Sequence, residues 1–160
     1  MAASSFFSKG LQKLMNNSIV LGSDTLKIAL LKTSYTFVHT TEFLDTGGND
    51  ANDPSFNLLV ADDYAPIDVS GEVSVVVDSV GTGRVNLVIS DTNIGAIGGT
   101  VNDTIKAAIL YKDTGTPATS PVIGIIFLSS PVTTTGLNIN LDFASAAEGG
   151  NLRIILPSQA

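Results

Sequence analysis

The sequence predicts a mainly β protein, either an antiparallel β-sandwich or a small barrel, with a short N-terminal helix. Short apolar or alternating segments recur along the chain, and turns rich in Gly, Pro, Asn and Asp separate them. Strands do not alternate with long helical patterns, as they would in a doubly wound α/β fold. The chain of 160 residues is long enough for one domain and too short for two well-packed ones. We therefore interpret 1–160 as a single β domain.

A helical period occurs near the N-terminus, within a segment interpreted as a helix or arm over 1–20. Apolar residues spaced three and four apart predict a helix over 4–17, which Gly10 weakens by about 1 kcal/mol relative to alanine. A helix of this length is marginal alone. Its apolar face must therefore dock, either on its own domain or on a neighbouring subunit. That face comprises Phe7, Leu11, Leu14 and Met15.

The other predicted elements are strands. The aliphatic run 25–32 follows the turn 22–24, and the two segments on either side of Val80-Gly81-Thr82-Gly83 predict a β-hairpin. In 104–112, alternate apolar residues share one face, which is the period of a half-buried strand. The predicted strands are 25–32, 72–78, 84–90, 104–112, 121–129, 137–143 and 152–156.

A long polar stretch over 33–63 lacks any regular period. Connections of this length in a compact domain are usually functional or packed on a partner, so we interpret 33–63 as a long irregular loop. Within it, 45–53 contains three carboxylates and two Asn side chains, which are ligand types that Ca²⁺ accepts. The spacing is not that of an EF-hand, and a plain surface loop is the alternative.

Composition argues against several kinds of chemistry. Cysteine is absent and His39 is the single histidine, so thiolate and multi-histidine metal sites within one chain are excluded. Gly-x-Ser-x-Gly does not occur, and a catalytic base next to a nucleophile is not evident. The net charge is −7 without a Lys/Arg cluster, which argues against nucleic acid or an anionic membrane as partners. We expect no catalytic residues, no metal and no cofactor.

The low share of charged residues favours an assembly component. Charged residues make up 14% of the chain, against about 25% in an average soluble domain. Much of the surface is therefore neutral and polar, or is buried against other subunits.

Two blocks of the sequence resemble segments of a family of small virion proteins from tailed phages. The first block is Thr-Leu-Lys-Ile-Ala-Leu-Leu-Lys-Thr-Ser-Tyr-Thr over 25–36, and His39, Glu42 and Phe43 then match the family's His/Glu-Phe segment. The second block consists of Ala-Ala-Ile-Leu-Tyr-Lys-Asp-Thr-Gly over 107–115, followed by Ala-Thr-Ser-Pro-Val-Ile over 118–123.

The chain departs from the family at two places. Between Asp45 and Asp63 an insertion rich in Asn and Asp replaces a shorter linker, and the tail after Phe143 is longer. The resemblance implies a non-enzymatic component of the phage particle and leaves its position in the particle open.

We expect a capsid decoration or cement protein, made in the host cytoplasm and bound to the outer surface of the phage head. Its expected partners are the major capsid protein and itself, as a homotrimer at three-fold positions. A tail, baseplate or connector subunit is the alternative. A host-surface glycan-binding module is a third, for which three Tyr and no Trp supply few aromatic rings. The predicted interface residues are Phe7, Leu11, Leu14, Tyr35, Phe37 and Phe43.

Overall fold

Five antiparallel strands form a central sheet in the order β1-β8-β7-β2-β3. The computed structural model describes residues 4–77 and 85–141. Its helix is α1 (Ser8–Met15), and short 3₁₀ turns lie at Ser55–Asn57 and Pro117–Thr119. The strands are β1 (Ser4–Phe6), β2 (Leu26–Lys32), β3 (Ile67–Asp68), β4 (Val73–Val77), β5 (Val85–Ile89), β6 (Thr92–Ala96), β7 (Thr104–Lys112), β8 (Val122–Thr133) and β9 (Asn138–Leu141).

The central strands are buried on both faces, because their sequences are apolar at nearly every position. In β2, Leu26, Ile28 and Leu30 belong to one hydrophobic cluster. Ala29 and Leu31, which point the other way, belong to a second cluster. The sheet is therefore the middle layer of the molecule and separates two cores.

Two further strand pairs cover the first face of the sheet. β4 and β5 pair antiparallel as predicted, with Val73 opposite Ile89, and β6 pairs with β9. The predicted turn 80–83 between β4 and β5 lies outside the described residues. Their buried side chains, among them Leu87 and Ile139, join the cluster that contains Ile28. The fold is thus mainly β, and among the described residues the central sheet does not close into a barrel.

The irregular segment 33–63 covers the second face of the sheet. Tyr35 and Leu44 pack there beside Phe7, and all three are buried. The segment follows the sheet through backbone bonds, such as Val122 N–H to the Glu42 carbonyl oxygen at 3.0 Å. Its long connection is therefore packed on its own domain.

The N-terminal helix is shorter than the spacing predicts. Ser4–Phe6 pairs with β8 as an edge strand, so the helix begins at Ser8 rather than near residue 4. The Phe7 N–H donates to the Ile123 carbonyl oxygen at 3.0 Å, which ties the junction to the sheet. Pairing with β8 satisfies backbone N–H groups that would have no partner in the first turn of a longer helix.

The strands found include three that the sequence pattern did not predict. These are β1, β3 and β6, of which β6 contains Gly95 at a φ of +87°. β7 has the predicted bounds, and β8 runs four residues past its predicted end. The predicted strand 152–156 lies outside the described residues.

Candidate interaction surfaces

Charged side chains in the part of the chain that the structure describes form ion pairs, such as the Lys27 amine with the Asp113 carboxylate at 2.6 Å. His39 is exposed, and its backbone oxygen accepts the Ser8 N–H at 2.9 Å. No group of three His, Asp or Glu side chains in these ranges could hold a metal ion. Nor does any helix there have the length and apolar character needed to cross a membrane.

The carboxylates of 45–53 bind backbone groups of their own loop. Asp45 and Asp50 each accept the N–H two residues later, at 2.7 and 2.8 Å. Asp53 is fully buried and accepts the N–H and hydroxyl of Ser55, at 3.0 and 2.9 Å, and the N–H of Asn49 at 3.2 Å. Burial alone would raise the pKa of Asp53, but these bonds hold it below its ordinary value. The carboxylates therefore stabilise the loop instead of facing a common cation position.

The six predicted interface residues are divided between the core and the surface. Phe7 and Tyr35 are fully buried by their own chain, and Phe37 stacks edge-on against Phe7 with ring centroids 5.1 Å apart. Phe43 is half-buried beneath the Lys13 amine. Leu11 is 42% exposed, and Leu14 is half-buried beside it on the helix. Contact of these residues with another subunit stays a prediction, and Leu11 and Leu14 are the two that line an open groove.

This groove, here called the helix groove, lies between α1, the turn 16–21 and the β4–β5 hairpin. Its volume is about 400 Å³, within the range of ligand pockets. Ile19 and Leu87, both buried, lie at its base. Of the nine large apolar side chains exposed in the described ranges, five line it. These five are Phe6, Leu11, Met15, Val20 and Val75.

Hydrogen bonds fix the turn that forms one wall of the helix groove. The Ile19 N–H donates to the Lys13 carbonyl oxygen at 3.1 Å, which reverses the chain after α1. Asp24 accepts the Val20 N–H at 2.7 Å and pairs with the Lys112 amine at 2.9 Å. Burial opposes ionisation of Asp24, yet these two partners keep its pKa below the ordinary value. The groove therefore has a rigid wall.

Three further exposed aliphatic side chains, here called the loop platform, are Val60, Val101 and Leu137. Their side chains are 61%, 46% and 59% exposed. They lie on three loops that are far apart in sequence, and two carboxylates connect the loops that carry Val60 and Val101. Asp62 accepts the N–H groups of Thr100 and Val101, at 2.9 and 2.7 Å.

Asp103 forms hydrogen bonds to the loops on both sides of it. Its carboxylate accepts the Val60 N–H at 3.0 Å, and its N–H donates to the Thr134 hydroxyl at 3.0 Å. The Gly136 N–H reaches the Ile97 carbonyl oxygen at 3.0 Å, so the loop carrying Leu137 is held as well. The three aliphatic side chains therefore project from a hydrogen-bonded base.

The residues of the loop platform were not predicted from the sequence. Val101 is a single aliphatic residue in a polar segment, and Val60 follows Leu58 and Leu59 in a short apolar run. Single apolar residues on a surface are common. The bonds made by Asp62 and Asp103 bring both valines onto neighbouring loops, but those bonds span about forty residues of sequence. A Val followed two residues later by Asp was the local signal available at both positions.

These features define a mainly β protein with two exposed aliphatic surfaces on rigid supports. Comparisons of the chain with models of protein families, with curated proteins and with solved structures found no match. The similarity to phage virion proteins therefore depends on the sequence blocks 25–36 and 107–123 alone, and it stays a prediction.

Proposed function

We propose that the protein is a non-enzymatic structural subunit of a tailed-phage virion, specifically a decoration protein that bridges neighbouring capsomers on the outer surface of the head. The observation that carries this proposal is the loop platform. Ordering a contact surface before binding lowers the cost of association, and Val60, Val101 and Leu137 are exposed on loops that hydrogen bonds already hold.

The order of the platform loops before binding determines how much of the contact energy contributes to affinity. Apolar burial contributes about 25 cal/mol per Å², whereas ordering a flexible loop on binding costs part of that gain. Asp62 and Asp103 already hold the platform loops in the free subunit. Each contact is small, and repeated contacts over many subunits of a particle add through multivalency.

Charge and composition support a protein partner over a nucleic acid. The chain carries a net charge of −7, so its electrostatic field repels phosphate groups. Only 14% of its residues are charged, which leaves few basic side chains to bind phosphates. The partners proposed are the major capsid protein and further copies of this chain, arranged as a trimer. The sequence blocks that resemble phage virion proteins point to the same kind of particle.

Electron microscopy of phage particles, with this protein located by a specific antibody label, tests the position. Label at regular points over the whole head is expected. Label confined to the tail or to one vertex would instead assign the protein to the tail, baseplate or connector. Particles without any label would contradict a role in the virion.

The contact surface is tested by substituting Val101→Asp, which places a charge in the proposed apolar interface. We expect at least a tenfold loss of co-sedimentation with particles that lack the protein, an effect of about 1.4 kcal/mol. The matched control is Asn140→Asp, an added charge at an exposed position of β9. Circular dichroism establishes that both variants are folded. Equal binding by Val101→Asp and wild type would exclude the loop platform as the contact.

A further inference from the structure

Hydrogen bonds hold the two segments that carry Val60 and Val101 against each other. The Asp62 N–H donates to the Val101 carbonyl oxygen at 3.1 Å, and the Val101 N–H donates to the Asp62 carboxylate at 2.7 Å. Two residues along each segment, the Val60 N–H donates to the Asp103 carboxylate at 3.0 Å. The two valine side chains therefore lie on adjacent segments, and both are exposed.

Carboxylates flank these two aliphatic side chains. Asp62 and Asp103 bind the backbone next to them, and Asp63, which follows Asp62, is exposed. The segments 58–63 and 97–103 contain no lysine or arginine. This part of the loop platform is therefore both aliphatic and acidic.

The lysines of the described ranges do not neutralise these carboxylates. The three ion pairs there use lysines of other segments, which are Lys13, Lys27 and Lys112. Lys106 is the lysine nearest to Asp103 in the sequence, and its amine donates instead to the Tyr35 carbonyl oxygen at 2.8 Å. The negative charge beside Val60 and Val101 is thus not paired with any described lysine.

We propose that Val60 and Val101 dock on a protein surface that presents aliphatic side chains next to lysine or arginine. Aliphatic contact provides the apolar burial, while opposite charges around it speed association and disfavour acidic surfaces. Two copies of this chain meeting through the same patch would bring carboxylates together, so a basic surface of another protein is the better match. The inference rests on the proposed function for the use of the loop platform, and it adds the chemistry of the partner.

Two capped peptides, Leu-Lys-Leu-Lys-Leu and Leu-Glu-Leu-Glu-Leu, probe this chemistry with the full-length chain. They have the same apolar content and opposite charge. In an NMR titration, we expect the basic peptide to shift the amide signals of 60–63 and 100–103, and the acidic peptide to leave them unchanged. Shifts of equal size over all acidic segments would overturn the inference, since they indicate general charge attraction. Unchanged signals at 60–63 and 100–103 would overturn it as well.

Substitutions separate the aliphatic contribution from the charge. Val101→Ser should weaken binding of the basic peptide at least about fivefold, because it removes apolar contact and leaves the charge as it is. The matched control is Val75→Ser, an exposed valine outside the loop platform. Equal affinity of Val101→Ser and Val75→Ser would reduce the site to charge attraction and contradict the inference.

Asp63→Asn removes one negative charge at a backbone conformation, φ of +59°, that asparagine tolerates well. It should weaken binding of the basic peptide about twofold to fivefold at low salt, and this difference should vanish near about 0.5 M NaCl. Glu72→Gln, at an exposed position of another segment, is the control and should bind as wild type does. An equal loss in both variants would contradict a local role of the platform carboxylates.

Co-sedimentation with phage particles that lack the protein separates the two proposals. Wild type that binds the basic peptide at 60–63 and 100–103 but does not bind particles would preserve the partner chemistry and contradict the virion role. Wild type that binds particles, with Val101→Ser and Asp63→Asn binding equally well, would preserve the virion role through other contacts and overturn the inference.

Discussion

Gly10 lies where α1 crosses β8, and its missing side chain lets the helix backbone approach the strand. A Cβ atom at this position would lie 2.7 Å from the Ile123 Cα and would also collide with the Val122 carbonyl oxygen. Because both obstacles are backbone atoms, they cannot rotate away. The glycine that weakens the isolated helix is therefore what allows the helix to pack.

We expect Gly10→Ala to destabilise the protein despite the higher helix propensity of alanine. Propensity favours alanine by about 1 kcal/mol, whereas forcing extra volume into a packed contact costs typically 1–3 kcal/mol. Gly22→Ala is the matched control, since a Cβ there has open space around it. Urea unfolding followed by circular dichroism measures both free energies. A Gly10→Ala variant as stable as Gly22→Ala would contradict the close approach of α1 to β8.

At the level of elements, the irregular segment 33–63 acts as the second covering layer of the sheet. Its aromatic side chains supply the apolar contacts, and its carboxylates satisfy the backbone groups that a strand ladder would otherwise pair. Asn57 contributes as well, since its amide donates to the carbonyl oxygens of Asp50 and Asp53 at 2.7 and 2.8 Å. This layer therefore depends on a few polar groups rather than on regular pairing.

Asp53→Asn should destabilise the protein by about 1–3 kcal/mol at pH 7, because one carboxylate oxygen becomes an N–H₂ group facing the Asn49 N–H. The folded-state pKa of Asp53 lies below its ordinary value of 3.8, so the ionised carboxylate stabilises the fold above that value. This contribution disappears as the pH falls through the folded-state pKa. The difference in unfolding free energy between wild type and variant should therefore shrink toward pH 2.

The control for this prediction is Asp63→Asn. Asp63 is exposed at a φ of +59°, a conformation that asparagine tolerates well. Its substitution should change the unfolding free energy at pH 7 by less than Asp53→Asn does, because it lies on the surface. A difference between wild type and Asp53→Asn that persists unchanged at pH 2 would exclude the carboxylate as the titrating group.

The sequence predicted an element correctly where the residues of that element form a clear pattern by themselves. The aliphatic run of β2 and the alternation of β5 were sufficient to predict those strands, and β5 pairs with β4 as predicted. β6 was missed because Gly95 interrupts its period, and β1 because Ser4–Phe6 is a strand only through its pairing with β8. Residues of the helix groove and the loop platform were likewise predictable only where a local pattern shows them. Leu11 was predicted from the helical period, whereas Val101 depends on a loop contact with Asp62.

At the level of the whole molecule, two different layers cover one sheet. Strand pairs cover the first face, and the irregular segment 33–63 covers the second. The pattern of short apolar segments and turns predicts that such a chain is mainly β, but it cannot assign a loop to a face. That assignment comes from contacts between residues far apart in sequence, such as Leu44 N–H to the Ser120 carbonyl oxygen at 2.8 Å.

This layering predicts an order of local stability. β2 and β7 have paired neighbours on both edges and buried side chains on both faces, so their amides should exchange only through global unfolding. The β4–β5 pair is two-stranded, and Ser74 and Val75 in it are exposed. Its amides should therefore exchange through smaller openings, at a lower free energy.

Native-state hydrogen exchange with mass spectrometry, repeated at increasing denaturant, measures this order. Peptides from 26–32 and 104–112 should show one shared opening free energy that falls steeply with denaturant, since global unfolding exposes the most surface. Peptides from 73–77 and 85–89 should show a lower free energy with a weaker dependence. If the β4–β5 pair instead opened together with β7, the two layers would form one cooperative unit. The strand pair would then contribute as much to the stability of the fold as the sheet it covers.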